Sequence, residues 1–324
     1  AYAENYCYRN DTFEMRRRYE ACEIGEITYA EGEYIHDTAS IKPGITYGER
    51  NHWRNRTQPF FYCTHSFGPI MTITGRRPVK VVGMQSRFVS KFYEKALGPG
   101  AAALELVTLD NGALVKSIHG GLKREPGSVN YEIYGDKGCM ETQRFADRDA
   151  QASGIFSKKL NVWKEGDKVC QGELETFFPQ KFIEKSLAES SSGHGGSDFY
   201  ATHFFIQKIL GKEQGKYSID VYTAVDMGIV GIFAHRSYLD GGKPYDIPNF
   251  RNIEEREAYR NDNVCTNSEV AGDQLVPKYI NQSELPEIEQ KQYDHIRRLF
   301  LAGKPYEYLN WEEKTEEELY GKSE

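Results

Sequence analysis

Three short segments and one loop of this chain combine histidine, tyrosine and arginine at spacings that could bring an acid–base pair to a substrate hydroxyl. The segments are Gly32-Glu33-Tyr34-Ile35-His36-Asp37, Tyr62-Cys63-Thr64-His65-Ser66-Phe67-Gly68-Pro69 and Gly193-His194-Gly195-Gly196-Ser197-Asp198-Phe199. On a strand, Tyr34 and His36 are two apart and share a face; on a helix, Tyr62 and His65 are three apart and share one too. Each pair sets an imidazole that titrates near neutrality beside a phenol able to orient a hydroxyl, which is what general acid–base chemistry needs. Arg54 follows Trp53 in a polar stretch. Its planar fork could clamp a hydroxyl or carboxylate or lie on the surface, and the indole could stack on a ring or anchor the loop. Any one of these residues alone reads first as packing. Their joint presence points to a site.

Two other chemistries fit less well. His36, His65 and His194 with Glu33 or Glu4 carry metal-ligand atoms, as in a metal-dependent hydrolase or lyase, but lack the local spacing of a dedicated site, so no metal is expected. Gly98-Pro99-Gly100-Ala101-Ala102-Ala103 matches a loose dinucleotide-binding pattern. That pattern needs a strand before it, a helix opening on it and an acidic residue about 20 positions on. Here a strand follows, and His119-Gly120-Gly121 stands at that distance. A complete Rossmann fold is therefore not expected in this sequence.

The elements that must position these residues alternate in blocks. Glu4–Arg9 reads as a short extended segment, and Asp11 caps a helix through Phe13, Met15 and Arg18 to about Cys22. Ile27–His36 alternates as a strand, residues 37–58 read as a long loop, and a helix follows from about Pro59 to Ile73. Val79–Val89 is strand-like. Ala102–Leu109 and Ala113–His119 flank Asp110-Asn111-Gly112, a tight-turn signal that makes them an antiparallel hairpin. Short strands are expected at Tyr131–Tyr134, Cys139–Thr142, Leu160–Lys164 and Leu174–Phe178. Helices follow at Ser197–Leu210, whose Phe199, Phe205, Ile206 and Ile209 can share a face, and at Val221–Leu239. Pro244–Phe250 is extended, and the polar tail carries one helix near Ile288–Leu301. Strands and helices in separate blocks indicate an α+β fold with a large open, mostly antiparallel sheet.

Composition bounds the partners. The 324 residues carry a net charge of −7, and acidic residues crowd Trp311–Glu324, which disfavours nucleic acid. No apolar run approaches the roughly 18 residues of a membrane span, so no membrane partner is expected. The six cysteines at 7, 22, 63, 139, 170 and 265 stand far apart and read as free thiols, which suits a cytoplasmic setting while leaving a periplasmic or exported one open. The aromatic start, Tyr2, Tyr6 and Tyr8, reads as an exposed, unpaired edge on which a partner could dock.

The order and wording of several segments carry a resemblance. Glu4-Asn5-Tyr6, Glu23-Ile24-Gly25-Glu26-Ile27, Ala30 through Asp37, Trp53-Arg54, Tyr62 through Pro69, Tyr131 through Gly138, Gly193 through Phe199, and Asp220-Val221-Tyr222 through Asp246-Ile247-Pro248-Asn249-Phe250 resemble the portion of Gfo/Idh/MocA oxidoreductases that follows their Rossmann domain. Within that superfamily they are most similar to glycoside hydrolase family 109, the NAD-dependent α-N-acetylgalactosaminidases. The resemblance implies residues 1–10 as a remnant of the nucleotide-binding domain, 11–252 as the catalytic sheet domain, and 253–324 as an extension. It implies Tyr62 and His65 as catalytic residues, Glu4, Tyr34, His36, Arg54 and His194 around the sugar, and Asn5 and Trp53 near NAD. It further implies transient oxidation at sugar C3, elimination at C1, hydration and re-reduction. A simple sugar dehydrogenase and a non-catalytic binding or assembly subunit are the alternatives. The expected partners are a carbohydrate or glycoside, a Rossmann domain on the same or a separate chain, and further copies in an oligomer. The glycine loop and Glu-Lys-Pro segment of the nucleotide half are not in this sequence, and the wording of Tyr62–Phe67 departs from the glycosidases.

Overall fold

Ile27–Ile35 (β1), with Ile27, Ala30, Gly32 and Ile35 buried, is the central strand of an open sheet. The computed structural model describes residues 1–36, 41–49, 52–55, 57–86, 102–122, 127–142, 155–160, 172–177, 194–278 and 290–303. Chain order then gives Pro78–Gln85 (β2), Ala102–Leu109 (β3), Leu114–Gly120 (β4), Ser128–Gly135 (β5), Gly138–Thr142 (β6), Ile155–Leu160 (β7), Gly172–Phe177 (β8) and Tyr245–Asp246 (β9). Among the described strands the order across the sheet is β8-β7-β6-β5-β1-β4-β3-β2-β9. β1 runs parallel to β4 and the other described pairs are antiparallel. The β3–β4 hairpin turns at Asp110-Asn111-Gly112, with Asn111 tying the turn to Glu26 and to the Ile27 carbonyl.

Helices cover one face of the sheet. Asn10–Glu20 (α1) carries an ion-paired row in which Glu14 accepts from Arg17 and Arg18. Cys63–Thr74 (α3) lies against β1, β4 and β5, and Val221–Leu239 (α5), capped by Asp220, lies on β2. Between them come Lys42–Ile45 (α2) and Ser197–Ile209 (α4); Ile253–Glu257 (α6), Ser268–Ala271 (α7) and Gln290–Leu301 (α8) follow. Phe67, Ile70, Ile133, Val115, Met227 and Val230 fill the layer between sheet and helices. The opposite face of the sheet shows Met84, Leu106, Leu114 and Tyr134 to solvent. No helix among the described residues is long and apolar enough to cross a membrane. The five described cysteines are free, and Cys170 lies outside the described residues.

Several expectations need correction. Glu4–Arg9 is not extended: Glu4 caps a 3₁₀ turn at Asn5–Tyr8, its carboxylate accepting from Tyr6 N. The aromatic start is not an exposed edge, because Tyr8 is only 1% exposed and Tyr2 bridges to Ile219. The 37–58 stretch contains α2 and a 3₁₀ turn at Trp53–Asn55. β2 runs to Gln85 and β7 covers Ile155–Leu160, while residues 87–89 and 161–164 of the expected strands lie outside the described residues. On α4 the buried face is Ser197, Tyr200, Ala201 and Phe204, while Phe205, Ile206 and Ile209 are exposed. Tyr200 and Phe204 win because Tyr8, Phe13 and Tyr217 offer them a ring cluster with centroids 5.2 to 6.3 Å apart. The Gly98 motif up to Ala101 and the acidic run 311–324 lie outside the described residues.

Candidate active site

Position 32 decides how close helix α3 comes to the sheet. A Cβ on Gly32 of β1 would fall 1.9 Å from the Ser66 carbonyl oxygen of α3. Glycine therefore admits a contact between strand and helix backbone that a side chain would block. Beneath the contact Ser66 bonds Ser117 at 2.8 Å, Ser117 donates to Glu105 at 2.8 Å, and Glu105 meets His119 at 3.1 Å, all four buried. This buried polar chain fixes α3 on β3 and β4.

The close approach brings the side chains of β1 and α3 together. The Tyr34 and Tyr62 rings stack at 6.1 Å with 15° between planes, and His65 stands edge-on to both, 4.6 Å and 5.3 Å away. His36 Nδ1 lies 2.9 Å from the Tyr34 hydroxyl. Arg54 reaches the Tyr62 hydroxyl at 3.5 Å while its guanidinium covers the Trp53 ring at 4.7 Å. Tyr6, on the N-terminal turn, closes the cluster: its ring is 4.8 Å from His65, 5.4 Å from Tyr34 and 6.1 Å from His194. His194, at φ +56°, points Nδ1 at Asp198 across 3.0 Å. The structure thus joins Tyr34, His36, Arg54, Tyr62, His65 and His194 in one run of contacting side chains.

Glu4 lies under this group rather than loose within it. Its carboxylate is 3% exposed and sits 2.6 Å from His65 Nδ1. An acidic partner at Nδ1 holds the proton there and leaves Nε2 bare, so the imidazole is presented as a base. The backbone of His65 is fixed as well. Pro69 lacks the N–H that would bond the His65 carbonyl within α3, and the buried Tyr131 hydroxyl donates to that carbonyl at 2.7 Å instead.

Burial sets the phenols. Tyr34 is pushed well above the ordinary phenol range by burial first, then by the nearby Tyr6, Tyr62 and Glu4 groups, whose anionic forms would oppose a second negative charge. Burial raises Tyr6 and Tyr131 too. Tyr34 and Tyr6 are therefore hydrogen-bond donors at working pH. Tyr62, 39% exposed, and Trp53, 57% exposed, form the open rim. Asn5 keeps a buried Oδ1 with no hydrogen-bond partner. Among the described residues no group of three or more His, Cys, Asp or Glu is arranged to hold a metal ion.

The family model for the C-terminal domain of glycosyl hydrolase 109 matches residues 8–255. The chain belongs to the glycosyl hydrolase 109 family. Relatives in sequence include a glycosyl hydrolase family 109 protein of Stenotrophomonas maltophilia (strain K279a), 21% identical over 291 residues, aligned across 76% of this chain and 60% of its own length. An alpha-N-acetylgalactosaminidase of Tannerella forsythia is 23% identical over 286 residues, across 76% of this chain and 58% of its own length. The chain thus spans about three fifths or less of these curated relatives. A solved levoglucosan dehydrogenase in complex with NADH and L-sorbose superposes with TM-score 0.54 at 15% identity, covering 76% of this chain and 65% of that one. An inositol dehydrogenase homolog complexed with NAD⁺, from Azotobacter vinelandii, gives TM-score 0.54 at 12% identity, covering 75% and 64%. The fold is that of the C-terminal domain of Gfo/Idh/MocA oxidoreductases.

In this glycosyl hydrolase 109 chain two contributors escaped the sequence reading. Tyr6 reads from sequence as an outer aromatic edge, but its ring packs on His65. Tyr131 gives no local signal, whereas Pro69 inside a helix signals that some other donor must reach the His65 carbonyl.

Proposed function

We propose that this chain is the substrate-binding and catalytic part of an NAD-dependent sugar oxidoreductase or glycosidase. The observation that carries the reading is the Glu4–His65 pair, whose free imidazole edge stands among Tyr6, Tyr34 and Tyr62 with Arg54 at the rim. A carbohydrate offers what this set recognises: hydroxyls for phenols, imidazoles and a guanidinium, and C–H faces for aromatic rings.

His65 Nε2 takes the proton of the sugar hydroxyl, with Glu4 stabilising the imidazolium that forms. Tyr62 and Tyr34 donate to sugar oxygens and fix which hydroxyl faces His65. Arg54, His36 and His194 hold the rest of the ring. The residues fit the nicotinamide end of a dinucleotide: Asn5 Oδ1 is a buried acceptor able to take an amide N–H, and Trp53 is an exposed flat surface. When bound, NAD⁺ supplies the hydride acceptor for the sugar carbon. Among the described residues no strand, glycine turn and helix occur together as a pyrophosphate cradle, so a Rossmann domain has to bring that part.

In the glycosidase form the oxidised carbon is C3, the neighbouring C2 proton becomes acidic, the group at C1 leaves, water adds and the hydroxyl is restored. The dehydrogenase form stops at the ketone. The open face with Met84, Leu106, Leu114 and Tyr134 is where a second copy would pack. The test is to incubate the active assembly, this chain with a Rossmann domain on the same or a separate polypeptide, with NAD⁺ and an aryl α-N-acetylgalactosaminide or free sugars. Aglycone release without net NADH supports the glycosidase, stoichiometric NADH supports the dehydrogenase, and neither product with any sugar sinks the reading.

A further inference from the structure

The family match ends at residue 255, yet helix α8, beyond it, is built into the loop that carries Arg54. Tyr293 and Ile296 of α8 are fully buried. At Gly48, φ +64°, a Cβ would lie 2.2 Å from Arg297 N and 2.4 Å from the Tyr293 carbonyl oxygen, so glycine is what lets α8 come this close. From there rings lead toward the site. Phe300 packs on Tyr47 at 5.0 Å, Tyr47 stands edge-on to His52 at 6.2 Å, and His52 lies 5.7 Å from Trp53.

The hydrogen bonds converge on Asn55, the residue after Arg54. The Tyr293 hydroxyl donates to Asn55 Oδ1 at 2.9 Å, and Lys278 Nζ donates to the Asn55 carbonyl at 3.4 Å. Asn55 in turn donates from its backbone N to the His52 carbonyl and from Nδ2 to the Glu49 carbonyl. Among the described residues the Arg54 backbone is tied locally: its N donates to His52 Nδ1 and its carbonyl accepts from Thr57. A long arginine side chain has much rotamer freedom, so the fixed point that sets its reach is the backbone under it. That backbone is anchored by residues 278 and 293. His65 is anchored elsewhere, by Glu4 and Tyr131.

We propose that Lys278 and helix α8 brace the Trp53-Arg54-Asn55 turn, and that through Asn55 they set how far Arg54 reaches over the site. They act as determinants of substrate binding and selectivity, with Tyr293 and Lys278 as positioning residues. The link to sugar rests on the functional reading above; the mechanical link between tail and turn does not.

The test compares Tyr293→Phe, Lys278→Met and the double variant with the parent. Tyr293→Phe keeps the buried ring and removes one hydroxyl, so the fold is retained. In the full 324-residue chain, amides at residues 52–57 should exchange with solvent about tenfold faster in the double variant, while exchange in β1 and α3 is unchanged. In the active assembly KM for its sugar should rise about fivefold with kcat within about twofold, the pattern of lost binding rather than lost chemistry. Unchanged exchange at 52–57 overturns the brace whatever the activity. Faster exchange with KM unaltered for every sugar tried overturns its bearing on the site, as does a fall in kcat at constant KM. If the active assembly turns over no sugar, the functional reading and the sugar role fall together, and the exchange data still decide the brace.

Discussion

The His65 imidazole meets the Glu4 carboxylate at 2.6 Å across 61 residues of sequence, and the carboxylate is buried on arrival. The pairing makes Glu4 more than a lining residue, since it selects the His65 tautomer whose outer nitrogen can accept a proton. Glu4→Gln removes the charge and keeps the shape. In the active assembly it should lower turnover by about 10²-fold or more, as should His65→Ala and Tyr62→Phe, the scale of losing a positioned acid or base. Steady-state rates, with circular dichroism to confirm folding, check this. Parent-like rates in Glu4→Gln and His65→Ala would remove both from the mechanism.

The Tyr131 hydroxyl replaces the backbone donor that Pro69 lacks. Tyr131→Phe should cost about 1–3 kcal/mol, the penalty for a buried carbonyl left without a partner. The same change made in a Pro69→Ala background should cost less, because alanine returns the helical N–H. Urea unfolding of the four proteins gives the coupling directly. Equal costs in both backgrounds would mean that the proline and the tyrosine are unrelated.

Burial among Phe60 and Phe61 lowers His235 from 6.5 to about 4. A folded-state value below the unfolded one means that the unfolded chain takes up the proton first as pH falls. The stability His235 supports is complete above about pH 6.5, is lost progressively on the way down to about pH 4, and changes no further below that. Melting temperature measured from pH 7.5 to 4 should therefore fall less steeply in His235→Gln than in the parent protein. Parallel curves would count against the neutral buried imidazole.

The chain without further polypeptide should bind NAD⁺ weakly or not at all, because among the described residues no strand, glycine turn and helix form a cradle for the pyrophosphate. Calorimetric titration checks this. Micromolar affinity would require a nucleotide site built some other way.

What the sequence made legible was local. The alternation of Ile27–Ile35, the turn at Asp110-Asn111-Gly112 and the shared face of Tyr62 and His65 are all set by residues within a few positions of one another, and the structure has each element. Residues whose role depends on a distant partner were not legible. Tyr6 looked like an outer aromatic until the chain returned with His65 and His194. The α4 helix carries apolar residues at 199, 200, 204, 205, 206 and 209, on nearly every side, so periodicity could not choose its buried face; the Phe13 and Tyr217 rings did. The polar tail gave no local sign of its contact with the Arg54 loop, because that contact rests on a few side chains.

The bond between Tyr293 and Asn55 closes 238 residues of chain. During synthesis Glu4 and Tyr6 are made before the residues they meet at the site, and they find those partners only once residue 65 is out and folded onto the sheet. His194 completes the cluster only after most of the sheet has been made, and the turn beside Arg54 gains its last anchor when the final described helix emerges. The cleft is thus among the last features of the molecule to be finished. A chain truncated late, with its sheet and core intact, would fold and still lack a finished rim.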